Sequence, residues 1–531
     1  MASTPATSLT LVSSGLAESR LHPPFGRPEV SQFVKVLRKT TRWAAQHRRI
    51  DFDGLPTFGT KVSLTIPHIA ELVGNLTLVV TLPDLLTPQL NAIKACGGTS
   101  LTNLGTFLGP LFSWTNAIGH AMINMIELEI GGAIVERIDG RLLEVLDELY
   151  EPLEALPAKN QMIQRNPTNF SPLTSIGPVG GQVVYVPLPF WFCKKSIAQF
   201  LPLDAISAES VRVHVTFNPF NTLTYTDARV DSDTQSVYTP VTPPGSMLMA
   251  TGSSFWRSNP TSEQRIYGLN PSIPPGGISG EILPDTTFPI VVLGDSYILA
   301  EYISLEEPEA IALRSSELTY HVEQHNALPV LASLRATELH IPIELKNPTK
   351  EIIWVLQRPE ALDYNAWFLF TRDLSSVGSP EPWWPDAQLI LTESNNWKVL
   401  PAFRNSGSEP LAGATLLYNG EERFDHNGGS IFRSFLPSLH YTKSAVHDRY
   451  VYVWPFGIRP ALKGNEDASI GESYAPRGSA NWDKIPKKEL YLRLTPARGG
   501  GTPSSLNAYV WTTNWNIMKV FGGRAGMLFD Y

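Results

Sequence analysis

The sequence is almost without cysteine: in 531 residues only Cys96 and Cys193 occur, too few for the disulfide framework of a secreted module, and synthesis in a reducing compartment is expected. Charge is also scarce. Asp, Glu, Lys and Arg make up 17% of the chain, against about 25% in ordinary soluble domains. A formal net charge of -8 argues against nucleic-acid coating or sequence-specific nucleic-acid binding, because phosphate recognition needs clustered Lys and Arg. No stretch reaches the roughly 18 unbroken apolar residues of a membrane span. Residues 1–28 lack a charged start followed by an apolar run, so a soluble protein outside the usual secretory route is expected. The His-Glu-x-x-His, Gly-x-x-x-x-Gly-Lys-Ser/Thr and Gly-x-Ser-x-Gly patterns are missing, which removes the common hydrolase and nucleotide-binding signatures. No catalytic residue, cofactor or metal ligand is nominated.

Chain punctuation is abundant, with 44 Pro and 39 Gly, and favours short strands joined by long loops. The length calls for two or three cores. Sparse charge suits surfaces buried against neighbouring subunits, since large permanent interfaces are depleted in Lys, Glu and Asp.

The dominant hydrophobic period is two. Val62, Leu64 and Ile66 share one face, as do Leu76, Leu78, Val80 and Leu82, and Val211, Val213, Val215 and Phe217; all read as half-buried strands. Ile126, Leu128 and Ile130 lead into Gly131-Gly132, a hairpin turn, after which Ala133 to Arg137 resume the extended chain. Arg141 to Glu151 breaks the pattern with Leu142, Leu146 and Leu149 at helical spacing until Pro152. Leu339, Ile341, Ile343 and Leu345 form another face, with Pro342 marking an edge strand. Tyr450 to Trp454 and Leu490, Leu492 and Leu494 continue the all-β character. No sequence repeat links the halves, and two β-sandwiches in series is the economical reading.

Residues 1–45 form an N-terminal arm, Ser/Thr/Pro-rich over 1–30 and then basic. Lys35, Arg38, Lys39, Arg42, Arg48 and Arg49 occur without an acidic residue between Glu29 and Asp51, a composition suited to an acidic protein, a lipid headgroup or a phosphate, or else to a solvated terminal segment. Residues 218–290 have few periodic strands and read as a long exposed insertion. His321, Glu323 and His325 would share one strand face, yet three side chains of one straight strand rarely converge on a tetrahedral ion. Asp227, Asp231 and Asp233 lack the Gly and terminal Glu of a calcium loop. Cys193, after Phe190-Trp191-Phe192, is expected to be buried and inert. Asn75-Leu-Thr and Asn169-Phe-Ser match the glycosylation pattern, which has no meaning outside the secretory pathway.

Several blocks, read in order, resemble the major capsid proteins of nucleocytoplasmic large DNA viruses, the iridovirus-like and phycodnavirus-like group. They are Trp114-Thr-Asn-Ala-Ile-Gly-His-Ala-Met-Ile with its Gly119-His120 pair, Ile126-Glu-Leu-Glu-Ile-Gly-Gly, and Val186-Pro-Leu-Pro-Phe-Trp-Phe-Cys-Lys. Ala300-Glu-Tyr-Ile-Ser-Leu-Glu-Glu-Pro-Glu, Tyr320-His-Val-Glu-Gln, Ile353-Trp-Val-Leu-Gln-Arg, Tyr418-Asn-Gly-Glu-Glu-Arg-Phe, Tyr450-Val-Tyr-Val-Trp-Pro-Phe and Asn514-Trp-Asn-Ile-Met follow. The likeness runs from about Trp43 to the end of the sequence; Gly464 to Trp482 departs from the family's short Pro-Ser-Gly loop. It implies an all-β fold of two consecutive eight-stranded antiparallel jelly-roll sandwiches with short loop helices. The expected divisions are a first roll at 46–308, a linker at 309–317 and a second roll at 318–531. It further implies a structural virion protein rather than an enzyme: a homotrimeric, pseudo-hexagonal capsomer that tiles an icosahedral shell around DNA and is assembled in the host cytoplasm. Neighbouring capsomers, minor capsid proteins and an internal membrane are the implied partners, with the six basic residues at the inner face. The rival from another class is a jelly-roll carbohydrate-binding protein or glycosidase, suggested by 13 Trp, although no pair of carboxylates presents itself for glycoside hydrolysis.

Overall fold

A computed structural model of the chain describes residues 42–85, 111–165, 182–193, 199–227, 293–359, 409–441, 450–457, 478–495 and 505–529, with a few positions in 91–99, 362–370 and 444. The Ser/Thr/Pro-rich arm, Lys35, Arg38, Lys39, Cys96, Asn169, Asp231, Asp233 and all of the 218–290 segment beyond Asp227 lie outside the described residues.

Among the described residues, sixteen principal strands carry the fold. The first eight are β1 (Trp43–Asp51), β2 (Lys61–Thr65), β3 (Leu72–Thr81), β4 (Ile123–Ile130), β5 (Ala133–Asp139), β6 (Val183–Pro187), β7 (Val211–Phe217) and β8 (Ser296–Leu305). The second eight are β9 (Leu318–Ala327), β10 (Glu338–Pro342), β11 (Pro348–Gln357), β12 (Leu411–Tyr418), β13 (Glu421–Asn427), β14 (Val451–Pro455), β15 (Lys488–Leu494) and β16 (Asn507–Phe521). The first set forms two sheets with orders β1-β8-β3-β6 and β2-β7-β4-β5; the second set forms β9-β16-β11-β14 and β10-β15-β12-β13. Adding eight to each label of the first pair gives the second. Two jelly rolls therefore share one topology without a shared sequence.

Alternation explains the outer sheets. In β7 the side chains of Val211, Val213, Val215 and Phe217 are buried while Arg212 is exposed and His214 and Thr216 are half-buried, as expected for a sheet with one covered face. Pro342 ends β10, which among the described residues pairs only with β15 and is an edge strand. The hairpins between β4 and β5 and between β12 and β13 both turn on two residues of positive φ, Gly131 and Gly132 (61° and 84°) in one and Asn419 and Gly420 (55° and 85°) in the other. These are the residues that tolerate the backbone twist a two-residue hairpin needs.

The helix expected over 141–151 is α1 (Gly140–Tyr150); the Asp139 carboxylate caps it by accepting from the Leu142 amide at 2.6 Å. A second helix, α2 (Leu156–Met162), follows. The expected linker at 309–317 is largely helical, within α3 (Glu307–Ser315). Among the described residues no helix is long and apolar enough to cross a membrane.

Candidate functional site: the seam between the rolls

The sheet β9-β16-β11-β14 is covered on both faces. Ile352, Trp354, Leu356, Tyr452, Trp454 and Val510 point into the second roll's own core. Val322, Ile353, Val355, Val451, Val453 and Trp511 join the core of the first roll. A strand buried on both sides has no polar face to alternate, which is why Ile352-Ile353-Trp354-Val355-Leu356 is apolar without a break. That unbroken run and the similar Tyr450-Val-Tyr-Val-Trp454 are the traces the seam leaves in the sequence, where on their own they read only as strands.

Polar groups fix the register of the seam. Gln324 on β9 donates to the Val135 carbonyl on β5 at 2.7 Å, and His325 Nδ1 lies 2.7 Å from Glu136 Oε1, both side chains buried. Trp511 Nε1 donates to Asp139 Oδ2 at 3.1 Å. The Arg141 guanidinium stacks over Tyr509 at 4.4 Å and Trp367 at 4.8 Å. On β11 the buried Glu351 carboxylate accepts from Tyr150 of α1, Tyr441 and Thr513. Burial, and then the nearby Glu351 charge, push both phenols well above the ordinary tyrosine range. Burial also raises the Asp139 carboxyl, against the opposing Leu142 amide bond. A buried polar layer of this kind specifies one docking geometry, since any sliding leaves buried groups without partners.

Behind the seam, a buried ion network pins α1 and α2 to the first roll. Gly119 and His120 belong to a single helical turn, Ile118–Ala121. His120 Nδ1 lies 2.6 Å from Glu144 Oε2; Arg165 bonds the same carboxylate and lies 3.1 Å from Asp147 Oδ2, while Lys159 Nζ lies 3.1 Å from Asp147 Oδ1. Burial lowers the His120 pKa despite the Glu144 bond. Burial would raise Asp147, but Lys159, His120 and Arg165 outweigh it and hold the carboxyl below its ordinary value. His120, Glu144 and Asp147 have donor atoms within 4.8 Å of one another. Arg165 and Lys159 nevertheless set positive charge against these carboxylates, so the arrangement reads as a buried ion network. In the sequence His120 stands out only as half of the Gly119-His120 pair, without a role; its carboxylate partner Glu144 lies 24 residues away.

The other nominated residues go to separate places. Glu323 bonds Lys350 Nζ at 2.6 Å and His325 serves the seam, while His321 is exposed, so the three do not form one ligand set. Cys193 is half-buried, its Sγ 3.5 Å from the Gly74 carbonyl. Asn75 donates to Glu301 across two neighbouring strands. Of the basic residues, Arg42 and Arg48 are exposed. Arg49 forks onto Asp295 at 2.6 and 2.7 Å, reaches Asp51 at 2.6 Å and stacks 4.1 Å over Tyr297.

Residues 31–249 match the family described as major capsid protein N-terminus, and residues 309–526 match the large eukaryotic DNA virus major capsid protein. The chain is 22% identical to the major capsid protein of Chrysochromulina ericina virus, covering 95% of this chain and 97% of that one. It is 26% identical to the major capsid protein of Pyramimonas orientalis virus, covering 95% of each. Among solved structures it resembles PBCV-1 VP54, with a TM-score of 0.61 at 16% identity over 94% of this chain and all of that one. It also resembles the Faustovirus major capsid protein, with a TM-score of 0.58 at 10% identity over 96% of each.

Proposed function

From the premise that this chain belongs to the major capsid proteins of large eukaryotic DNA viruses, we propose that three copies form a pseudo-hexagonal capsomer and that capsomers tile an icosahedral shell around a DNA genome. The observation that carries the trimer is the identical strand order of the two rolls. Three copies present six units of one topology, so similar edges recur around the capsomer and can be reused across a lattice. On this reading the rolls span about 46–308 and 318–531, and the proposed role is structural, without catalysis. Assembly in the host cytoplasm is consistent with a chain of two cysteines.

Lys35, Arg38, Lys39 and Arg42 are assigned to the inner face, toward minor capsid proteins or an internal membrane, on the strength of their unbroken positive charge. Arg48, exposed on β1, and Arg49, bonded within the chain to Asp295 and Asp51, belong to the same proposed set. Size measurement in solution tests the reading: a stable species near three times 58.6 kDa is expected, and a clean monomer at all concentrations would sink it.

A further inference from the structure

β16 turns back at its end into a short further strand, β17 (Arg524–Met527), through Gly522-Gly523, whose positive φ angles of 62° and 81° suit a two-residue hairpin. By chain this hairpin belongs to the second roll. Its packing is with the first: Met518 and Val520 are 1% exposed within the first roll's core, and Ala525 and Met527 pack against that core. Its backbone is tied there too, because the Ala208 amide donates to the Gly523 carbonyl at 2.9 Å and the Ala525 amide to Glu209 Oε2 at 3.0 Å. Phe521 and Leu528 are 69% and 55% exposed, so among the described residues the hairpin is held on one face only.

The chain after β17 reaches the seam through a buried amide. The Phe529 N–H donates to Asn516 Oδ1 at 3.0 Å, and its carbonyl accepts from Asn516 Nδ2 at 2.9 Å. The Ile517 amide adds a bond to the same Oδ1 at 2.7 Å. Asn516 Nδ2 also donates to Gln324 Oε1 at 2.7 Å, and Gln324 Nε2 donates in turn to the Val135 carbonyl of β5, in the first roll. Both amide side chains are 0% exposed. A primary amide has one accepting end and one donating end. Phe529 supplies two of the three backbone bonds that set which end of Asn516 meets Gln324, and Asn516 thereby sets which end of Gln324 meets the first roll. Asn516 falls in the block Asn514-Trp-Asn-Ile-Met and Gln324 in Tyr320-His-Val-Glu-Gln, so the relay links two stretches that are 192 residues apart at these positions.

We propose that residues 519–529 form a strap whose closing locks the seam: Phe529 orients Asn516, Asn516 orients Gln324, and Gln324 holds β5. With the strap open the two amides are free to turn, the Val135 carbonyl loses its donor, and the rolls part at β5 and β9 while each core is still folded. The coupling is a chain of bonds with two discrete arrangements, the physical form such communication requires. Asn516 and Gln324 are positioning residues in it. Because every contact lies within one chain, the inference stands apart from the trimer reading.

Hydrogen exchange followed by mass spectrometry tests it, with all proteins at one concentration and pH 7. Deleting residues 528–531 removes the Phe529 bonds and leaves the β16–β17 pairing in place. Amides of 133–139 and 318–327 are then expected to exchange about tenfold faster, the factor that one buried hydrogen bond is worth, while 211–217 and 488–494 in the outer sheets keep their rates. Gln324→Leu should speed the same two seam segments and leave the strap, 519–527, unchanged. If that variant does not fold, Gln324→Glu takes its place, keeping the acceptor toward Asn516 and losing the donor to Val135. The combined protein decides whether the signal passes through Gln324: the deletion should then add no more than about a further twofold at 133–139, since coupled sites are not additive. Unchanged exchange at 133–139 after the deletion, equal acceleration in 211–217 and 488–494, or a larger further increase in the combined protein would each overturn the strap.

Discussion

Removing the Arg165 guanidinium should destabilise the first roll by an amount the ion network itself bounds. Its side chain is 1% exposed and that of Glu144 is 0%, so water cannot take its place. Arg165→Met keeps the length of the side chain but takes the guanidinium away from Glu144 and Asp147, while Lys159 Nζ stays 3.1 Å from Asp147. Breaking a buried pair by deleting one partner costs ~3–5 kcal/mol. Protonation sets a ceiling: a carboxyl whose ordinary pKa is about 4 can be neutralised at pH 7 for ~4 kcal/mol, at ~1.4 kcal/mol per unit. A loss of ~3–4 kcal/mol is therefore expected, which corresponds to ~6–16 °C in Tm at ~2–4 °C per kcal/mol for a domain of this size.

The assay is thermal unfolding followed by circular dichroism at pH 7 and at pH 4.5. In the unaltered chain Asp147 is held below its ordinary value of 3.8, so its contribution is present above that pH and is lost as pH falls through the folded value. In the variant the carboxylates protonate at higher pH, so the deficit should narrow on acidification. Adding Glu144→Gln, which removes one stranded charge, should recover at least half of the loss. A Tm within 2 °C of the unaltered chain, or a deficit that widens at pH 4.5, would refute the reasoning.

His120 is buried with its pKa below 6.5, so the unfolded chain takes up the proton first and stability should decline as pH falls below about 6.5; His120→Asn should make the slope of Tm between pH 7 and 5.5 shallower. Gly140→Ala would put a methyl 2.3 Å from the His120 carbonyl and 2.4 Å from that of Ile123. Neither backbone oxygen can move away cheaply, and a loss of ~1–3 kcal/mol or more is expected in the same melting experiment. Deleting residues 1–40 should leave trimers intact by light scattering while shell assembly, scored by electron microscopy, is impaired; loss of the trimer would contradict that division of labour.

What the sequence makes legible depends on how local each feature is. Strands with one wet face can be read because the period of two is local, as in Val211 to Phe217. So can the end of α1, because Pro152 forbids continuation. The shared topology is not legible, since equivalent positions use different residues to the same end, as when Gly131-Gly132 and Asn419-Gly420 make the same turn. Nor is the seam, whose bond between Glu136 and His325 spans 189 residues. Of the six basic residues, only Arg49 shows specific ionic bonding among the described residues, and its partner Asp295 lies 246 residues away.

The doubly covered sheet also imposes an order of events during synthesis. The first roll leaves the ribosome before β9 to β16 exist, and domains generally fold as units in that order. It can thus be ready, with its seam surface formed, when Ile353, Val355, Val451 and Val453 appear. The reverse order would leave a broad apolar sheet face in water, the kind of surface that aggregates. The N-terminal half is then a template on which the second half completes itself, and separating the halves should harm the second more than the first.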